Sequence, residues 1–329
     1  MGFFSFLKSR PIFWLSVTGT TVGAACAIKD LMQGGKFTKE TDETNKVFIV
    51  TGSNNGIGKE TVRELAKRGA TVYMACRVMK KCEEAREEIV LETKNKYVYC
   101  RECDLDSIRN FVAAFKREQK TLNILINNAG VMRCPRSLTK DGFEMQLGVN
   151  HMGHYLLTTL LLDLLKNSTP SRIVNLSSLA HTRGEINTGD LNSEKSYDEG
   201  KAYSQSKLAN VLFTRELARR LAGTGVTANA LHPGVLDTEL FRHMSFFSNF
   251  FAELFVKPLL WPFVKTAANG AQTSLYAALD PDLELVSGEY FSDGQPKEVA
   301  PAGTDTQTAK WLWAVSEKWT NPPPIDVKK

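Results

Sequence analysis

Tyr203 and Lys207 stand four residues apart in Tyr203-Ser-Gln-Ser-Lys207, a stretch continued by apolar Leu208, Val211, Leu212, Leu217 and Leu221. That stripe predicts a helix, and positions i and i+4 share one helix face. A lysine charge beside a phenol favours the phenolate and lowers the hydroxyl pKa. A tyrosine so tuned exchanges a proton near neutral pH, which is general acid–base chemistry. A second Tyr-x-x-x-Lys, Tyr197 to Lys201, holds Gly200 and an acidic pair. It makes a poor helix interior and reads as loop, so Tyr203 and Lys207 are the candidates.

Ser178 closes the strand-like run from Arg172. A hydroxyl at the carboxyl end of a strand stands where open parallel sheets bind ligands. Ser177 is its competitor, facing the other side by alternation. Asn127-Asn128-Ala129-Gly130 follows the apolar strand Leu122 to Ile126. Such small and amide residues suit close approach to a cofactor, and alone they also read as a plain turn. Asn150 lies in the helical pattern of 144–166.

The segment that would hold a cofactor is Thr51-Gly52-Ser53-Asn54-Asn55-Gly56-Ile57-Gly58, between the apolar run Val47 to Val50 and an amphipathic helical pattern. Strand, glycine turn and helix together form a dinucleotide site. The glycines let backbone approach a pyrophosphate, and the helix N-terminus supplies free N–H groups.

Around these residues short apolar strands alternate with helices. Strands are expected at 47–51, 71–76, 97–102, 122–126, 171–177, 226–231 and 289–291. Helices are expected near 57–68, 79–93, 107–119, 144–166, 201–222 and 266–279. The pattern predicts one α/β Rossmann-type doubly wound domain with a seven-stranded parallel sheet. The 329 residues, 43% hydrophobic and 23% charged, suffice for that domain plus an extra segment. A net charge of +5 without basic runs argues against nucleic acid as a partner.

Cys26, Cys76, Cys82, Cys100, Cys103 and Cys134 form no disulfide framework. Cys100-x-x-Cys103 is the one close pair and no second pair completes a metal site, so reduced structural thiols and no metal are expected. Pro11 to Ile28 carries no charge, which reaches the lower limit for a spanning helix. Residues 1–30 are therefore read as a hydrophobic membrane-anchor helix, 31–45 as a linker and 46–329 as the catalytic domain. Segment 241–264, with seven phenylalanines, is read as a hydrophobic substrate lid or membrane-contacting stretch in which Phe247 and Phe251 meet the substrate.

The ordered set Thr51–Gly58, Asn127–Gly130, Asn150, Ser178, Tyr203, Lys207 and Pro233-Gly234 with Thr238 resembles the short-chain dehydrogenase/reductase family over residues 46–300. The resemblance implies a hydride-transfer enzyme. Tyr203 would be the general acid/base, with Lys207 lowering its pKa and holding the nicotinamide ribose. Ser178 would polarise the carbonyl, and Asn150 would support a water relay from Lys207. Pro233, Gly234 and Thr238 would lie near the nicotinamide. Asp104, followed by Leu105, resembles the aspartate beside the adenine, and a helix N-cap is nearly as good a reading.

NAD-preferring relatives place an acid at the end of the second strand. Here Cys76 takes that position and Arg77 follows. A guanidinium without a competing carboxylate suits a 2′-phosphate, with Lys59 or Lys81 as further charge, so the cofactor expected is NADP(H).

Ser-Ser-Leu-Ala-His181, Tyr203 to Asn210, His232 to Thr238, Gly270 to Ser274 and Gly288 to Asp293 resemble the membrane-bound retinol dehydrogenases that act as retinal reductases. A lipophilic alcohol and its carbonyl are then the expected substrate pair, with lipid aldehydes or steroids as alternatives. A non-catalytic NADP(H)-binding scaffold is the rival from another class. The N-terminus, basic and free of acids through residue 29, fits an endoplasmic reticulum or a mitochondrial membrane, with a cytosol-facing domain expected, and the family allows a homodimer.

Overall fold

The computed structural model describes residues 11–104, 107–234 and 261–321. Its core is a single sheet of strands β1 (Val47–Thr51), β2 (Thr71–Cys76), β3 (Val98–Glu102), β4 (Ile124–Asn127), β5 (Ser171–Leu176), β6 (Val226–His232), β7 (Tyr290–Ser292) and β8 (Gln295–Pro296). The order is β3-β2-β1-β4-β5-β6-β7-β8. Seven strands are parallel, and β8 folds back antiparallel on β7 through Phe291↔Pro296. The sheet therefore has eight strands, not the seven expected. The eighth is a two-residue return after Gly294, too short to leave an alternating pattern.

Alternation along β1 shows why both faces are covered. Phe48 and Val50 join one buried cluster, which takes in Leu65, Ile89 and Leu275. Val47 and Ile49 join the other, with Phe115, Leu161, Phe213 and Trp313. The first face carries helices at Gly56–Lys67, Met79–Thr93 and Ala267–Leu279. The second carries Ile108–Glu118, Gly153–Asn167, Glu199–Arg220 and Thr306–Thr320. Side chains pointing alternately up and down, each set buried, are what a doubly wound parallel sheet requires.

Three features depart from the expected elements. The helix expected over 144–166 is broken: Met145–Leu147 passes through a π-helical stretch, Gly148–Met152, into Gly153–Asn167. The C-terminal helix Thr306–Thr320 was not expected. It is capped by Asp305, whose carboxylate accepts from Gln307 and Thr308 N–H, and it buries Ala309, Leu312, Trp313 and Ser316 at helical spacing. Cys82, in Met79–Thr93, is joined to Cys100 of β3 as a disulfide. This corrects the expectation of reduced thiols. Packing of that helix on β3 brings together two residues that sequence spacing does not pair.

Pro11–Met32 is a helix, but among the described residues no helix is long and apolar enough to cross a membrane. The helix holds the uncharged run Pro11 to Ile28 on which the anchor expectation rests, with Lys29 and Asp30 in its last turn. The segment read as a linker is pinned to the body. Gln33 Oε1 accepts from Thr266 N at 3.0 Å and Asn269 Nδ2 at 2.6 Å, and Phe37 N donates to Gln272 at 2.9 Å.

Candidate active site

Strand order reverses between β1 and β4, and a cleft of about 1150 Å³ opens along the carboxyl ends there. Its floor is the glycine loop. Gly52 has φ +63°, and a Cβ on it would lie 2.7 Å from the Ala129 Cα. A Cβ on Gly58 would meet the Asn128 amide at 2.5 Å and the Gly52 carbonyl oxygen at 2.6 Å. Backbone therefore forms the surface of the cradle, as close approach of a pyrophosphate demands. Asn55 caps Gly56–Lys67, its Oδ1 accepting from Gly56 N at 2.7 Å. Among the expected cofactor contacts, Thr51, Gly52, Asn54, Asn55, Gly56, Ile57, Gly58, Arg77, Asp104, Asn128, Ala129, Gly130, Pro233 and Gly234 line this cleft.

Two expected contacts do not line it. Ser53 is fully buried, and its hydroxyl donates to Val50 O at 2.9 Å and lies 3.6 Å from Cys76 Sγ. Asn127 is fully buried and donates to Thr158 and Asn175 side chains at 2.9 and 2.7 Å. Both hold the cradle from behind. Their positions on the inward phase of the chain decide this, which motif matching does not register. Asp104 lines the cleft, and its Oδ1 accepts from Ser107 N at 2.9 Å; the helix Ile108–Glu118 has Ser107 as its N-cap, which corrects the N-cap reading of Asp104. Leu105, Thr238, Phe247 and Phe251 lie outside the described residues.

At the other end of the cleft stand Ser178, Tyr203 and Lys207. Ser178 follows β5, and its Oγ accepts from Ala180 N at 3.1 Å. Its carbonyl oxygen receives His181 Nδ1–H at 2.7 Å. Ser177 is buried and donates to the Lys207 carbonyl at 2.7 Å, so its hydroxyl is committed to the helix. Tyr203 and Lys207 are both on Glu199–Arg220, and Lys207 Nζ lies 5.7 Å from the Tyr203 ring centre. Nζ donates to Leu176 O at 3.2 Å. Burial pushes the Lys207 ammonium down to about 8. Tyr197, of the competing pair, precedes this helix. Its hydroxyl donates to Cys134 O at 2.6 Å and accepts from Gln146 at 2.9 Å, while Lys201 is exposed.

Asn150 lies in the π-helical stretch, fully buried behind the cleft wall. Its Oδ1 accepts from Val131 N at 2.8 Å, and its Nδ2 donates to Val131 O at 2.9 Å and Ser206 Oγ at 2.8 Å. Sequence reading missed His154 and His232, which also line the cleft. His154 was open to discovery, because it follows Asn150 by four residues and so shares its helix face.

Cys76 ends β2 and Arg77 opens into the cleft beside Lys59 and Lys81, with Glu84 and Glu88 on the same wall. Lys59 pairs with Glu88 at 2.5 Å. Among the described residues Arg77 and Lys81 have no carboxylate partner within ion-pair distance. The cradle and these cations fit a nicotinamide dinucleotide.

A model of the short chain dehydrogenases matches residues 46–246, and the chain belongs to the short-chain dehydrogenase/reductase family, oxidoreductases that use NAD(P) cofactors. Within it the chain is retinol dehydrogenase-like. It is 54% identical over 299 residues to retinol dehydrogenase 12 of Homo sapiens, covering 89% of this chain and 92% of that protein. It is 51% identical over 314 residues to retinol dehydrogenase 13 of Homo sapiens, covering 94% and 95%. An uncharacterized protein from Mycobacterium Paratuberculosis shares the fold, with TM-score 0.71 and 37% identity over 88% of this chain and 100% of that one.

Proposed function

We propose that the chain interconverts a lipophilic alcohol and its carbonyl with NADP(H), the pair being retinol and retinal and the direction in the cell reduction. The observation that carries the reading is the buried Lys207 ammonium beside the Tyr203 ring on the wall of the cleft. When bound, the dinucleotide supplies the hydride. Tyr203 gives a proton to the carbonyl oxygen, Ser178 orients that oxygen through its hydroxyl, and Lys207 stabilises the phenolate left behind. Asn150, hydrogen-bonded around Val131 and Ser206, supports the route that returns the proton. Support for NADP(H) comes from Arg77 on the cleft wall and from the buried Cys76 at the end of β2, where the chain carries no acid to repel a 2′-phosphate.

The retinoid assignment is supported by likeness to two retinol dehydrogenases. Lipid aldehydes and ketosteroids fit the same chemistry. Phe247 and Phe251 of the aromatic stretch are proposed as its substrate contacts. The test follows oxidation of NADPH and NADH by the detergent-solubilised protein with all-trans-retinal, lipid aldehydes and ketosteroids, beside Tyr203→Phe. Retinal turnover with NADPH that Tyr203→Phe abolishes is the expected result. NADPH binding without turnover of any carbonyl would favour the scaffold reading.

A further inference from the structure

The Thr51 hydroxyl has three partners. It accepts from the backbone amides of Asn128 and Ala129, both at 2.9 Å, and lies 3.0 Å from His154 Nε2. A hydroxyl has one proton and two lone pairs. Both lone pairs are taken, so the proton goes to His154 Nε2. That nitrogen then carries no hydrogen, and the ring's proton sits on Nδ1, 3.0 Å from the Asn150 carbonyl oxygen. A doubly protonated ring would face Thr51 with a third donor it has no lone pair to accept. Burial holds the His154 imidazole down to about 3, consistent with the neutral ring.

Asn150 carries the link onward through its side chain. Asn150 Nδ2 donates to Ser206 Oγ at 2.8 Å, and Ser206 Oγ donates to the Tyr203 carbonyl at 2.7 Å. Thr51, His154, Asn150 and Ser206 are all buried. Asn150 sits in the π-helical stretch, where the ordinary helical ladder is interrupted.

We propose that His154, locked as its neutral Nδ1–H tautomer, is a positioning residue that ties the nucleotide loop at Thr51 to Asn150 and, through Ser206, to the backbone of Tyr203. This rests on reading Asn150 and Tyr203 as parts of the reaction site. The nucleotide cradle and the proton donor are thereby held in one frame. Loss of such a tie shows in rate before it shows in nucleotide affinity.

The test uses the full chain in detergent. His154→Phe keeps a ring and removes both hydrogen bonds, whereas His154→Gln keeps a donor. For His154→Phe we expect an NADPH dissociation constant within about threefold of the parent and kcat lower by about 10- to 100-fold. His154→Gln should recover part of that loss. Imidazole 1H–15N spectra of the unsubstituted protein give a readout free of folding artefacts. With five histidines in the chain, the His154 signal is the one missing in His154→Gln. It should show Nδ1–H alone, unchanged from pH 8 to pH 5.

An Nε2–H tautomer, titration inside that range, or a parental kcat in His154→Phe would overturn the inference. Parallel loss of kcat and NADPH affinity would also overturn it, as the mark of a packing role. Tyr203→Phe separates the two levels. If it matches the parent in turnover, the reaction reading falls and the imidazole spectrum alone decides the network.

Discussion

Lys207 Nζ lies 5.7 Å from the centre of the Tyr203 ring and is buried, its one hydrogen bond among the described residues being to the Leu176 carbonyl at 3.2 Å. Among the described residues no carboxylate pairs with it. The ammonium beside the Tyr203 ring is thus not neutralised by a described acid. Tyr203→Phe should lower kcat by about 10²- to 10⁴-fold, the usual worth of a positioned general acid, with NADPH affinity little changed. Stopped-flow turnover and fluorescence titration of NADPH check the two halves.

The same burial has a cost that pH reveals. Lys207 titrates at about 8 in the folded chain against 10.5 ordinarily. Between those values the unfolded chain holds a proton that the folded chain has released, so stability rises with pH through that window. Below pH 8 both forms are protonated and the full penalty applies. The gain is on the order of 3 kcal/mol. Lys207→Met should lack this rise, melt no lower than the parent at pH 7 without cofactor, and lose turnover. Denaturant melts of both proteins from pH 7 to pH 10.5 measure it.

Arg77→Gln removes the guanidinium from the cleft wall. Loss of a charge-assisted contact to a 2′-phosphate costs about 1.5–3 kcal/mol, which is roughly 10- to 100-fold in NADPH affinity. NADH affinity should stay within about twofold, since NADH has no such phosphate. Equal effects on both nucleotides would count against the NADP(H) assignment.

Gly52→Ala places a Cβ 2.7 Å from the Ala129 Cα on a backbone with φ +63°. Both are backbone conflicts that no rotamer relieves. A loss of about 1–3 kcal/mol in stability is expected, together with nucleotide binding. Thermal melts with and without NADPH would show a lower midpoint and no stabilisation by the nucleotide.

Trp313 is 2% exposed and packs edge-on to Tyr155 at 5.0 Å, with the Arg220 guanidinium 4.2 Å above its ring. Trp313→Ala should cost about 3–5 kcal/mol. Its catalytic constants per folded molecule should hold, because the residue is outside the cleft lining.

What could be read from the sequence was what local pattern encodes. Residues 47–50 form an apolar run and 226–231 a small-residue and apolar stretch between turns, and both appear as buried strands. Tyr203 and Lys207 share a helix face because 3.6-residue periodicity requires it. Residues whose surroundings come from distant chain were not legible. Ser53 and Asn127 match the motif yet face inward, because their neighbours Cys76 and Asn175 arrive from other strands. The Cys82–Cys100 pairing depends on a helix meeting a strand. The Thr306–Thr320 helix did carry a signal, an Asp305 cap ahead of Ala309, Leu312, Trp313 and Ser316 at helical spacing.

That last helix is also the last described element to leave the ribosome. Until it emerges, Tyr155 and Phe213 have no Trp313 to cover them. A chain that lacks Thr306–Thr320 leaves both rings without that cover, so an apolar surface on the finished fold depends on the last part of the described chain to be made.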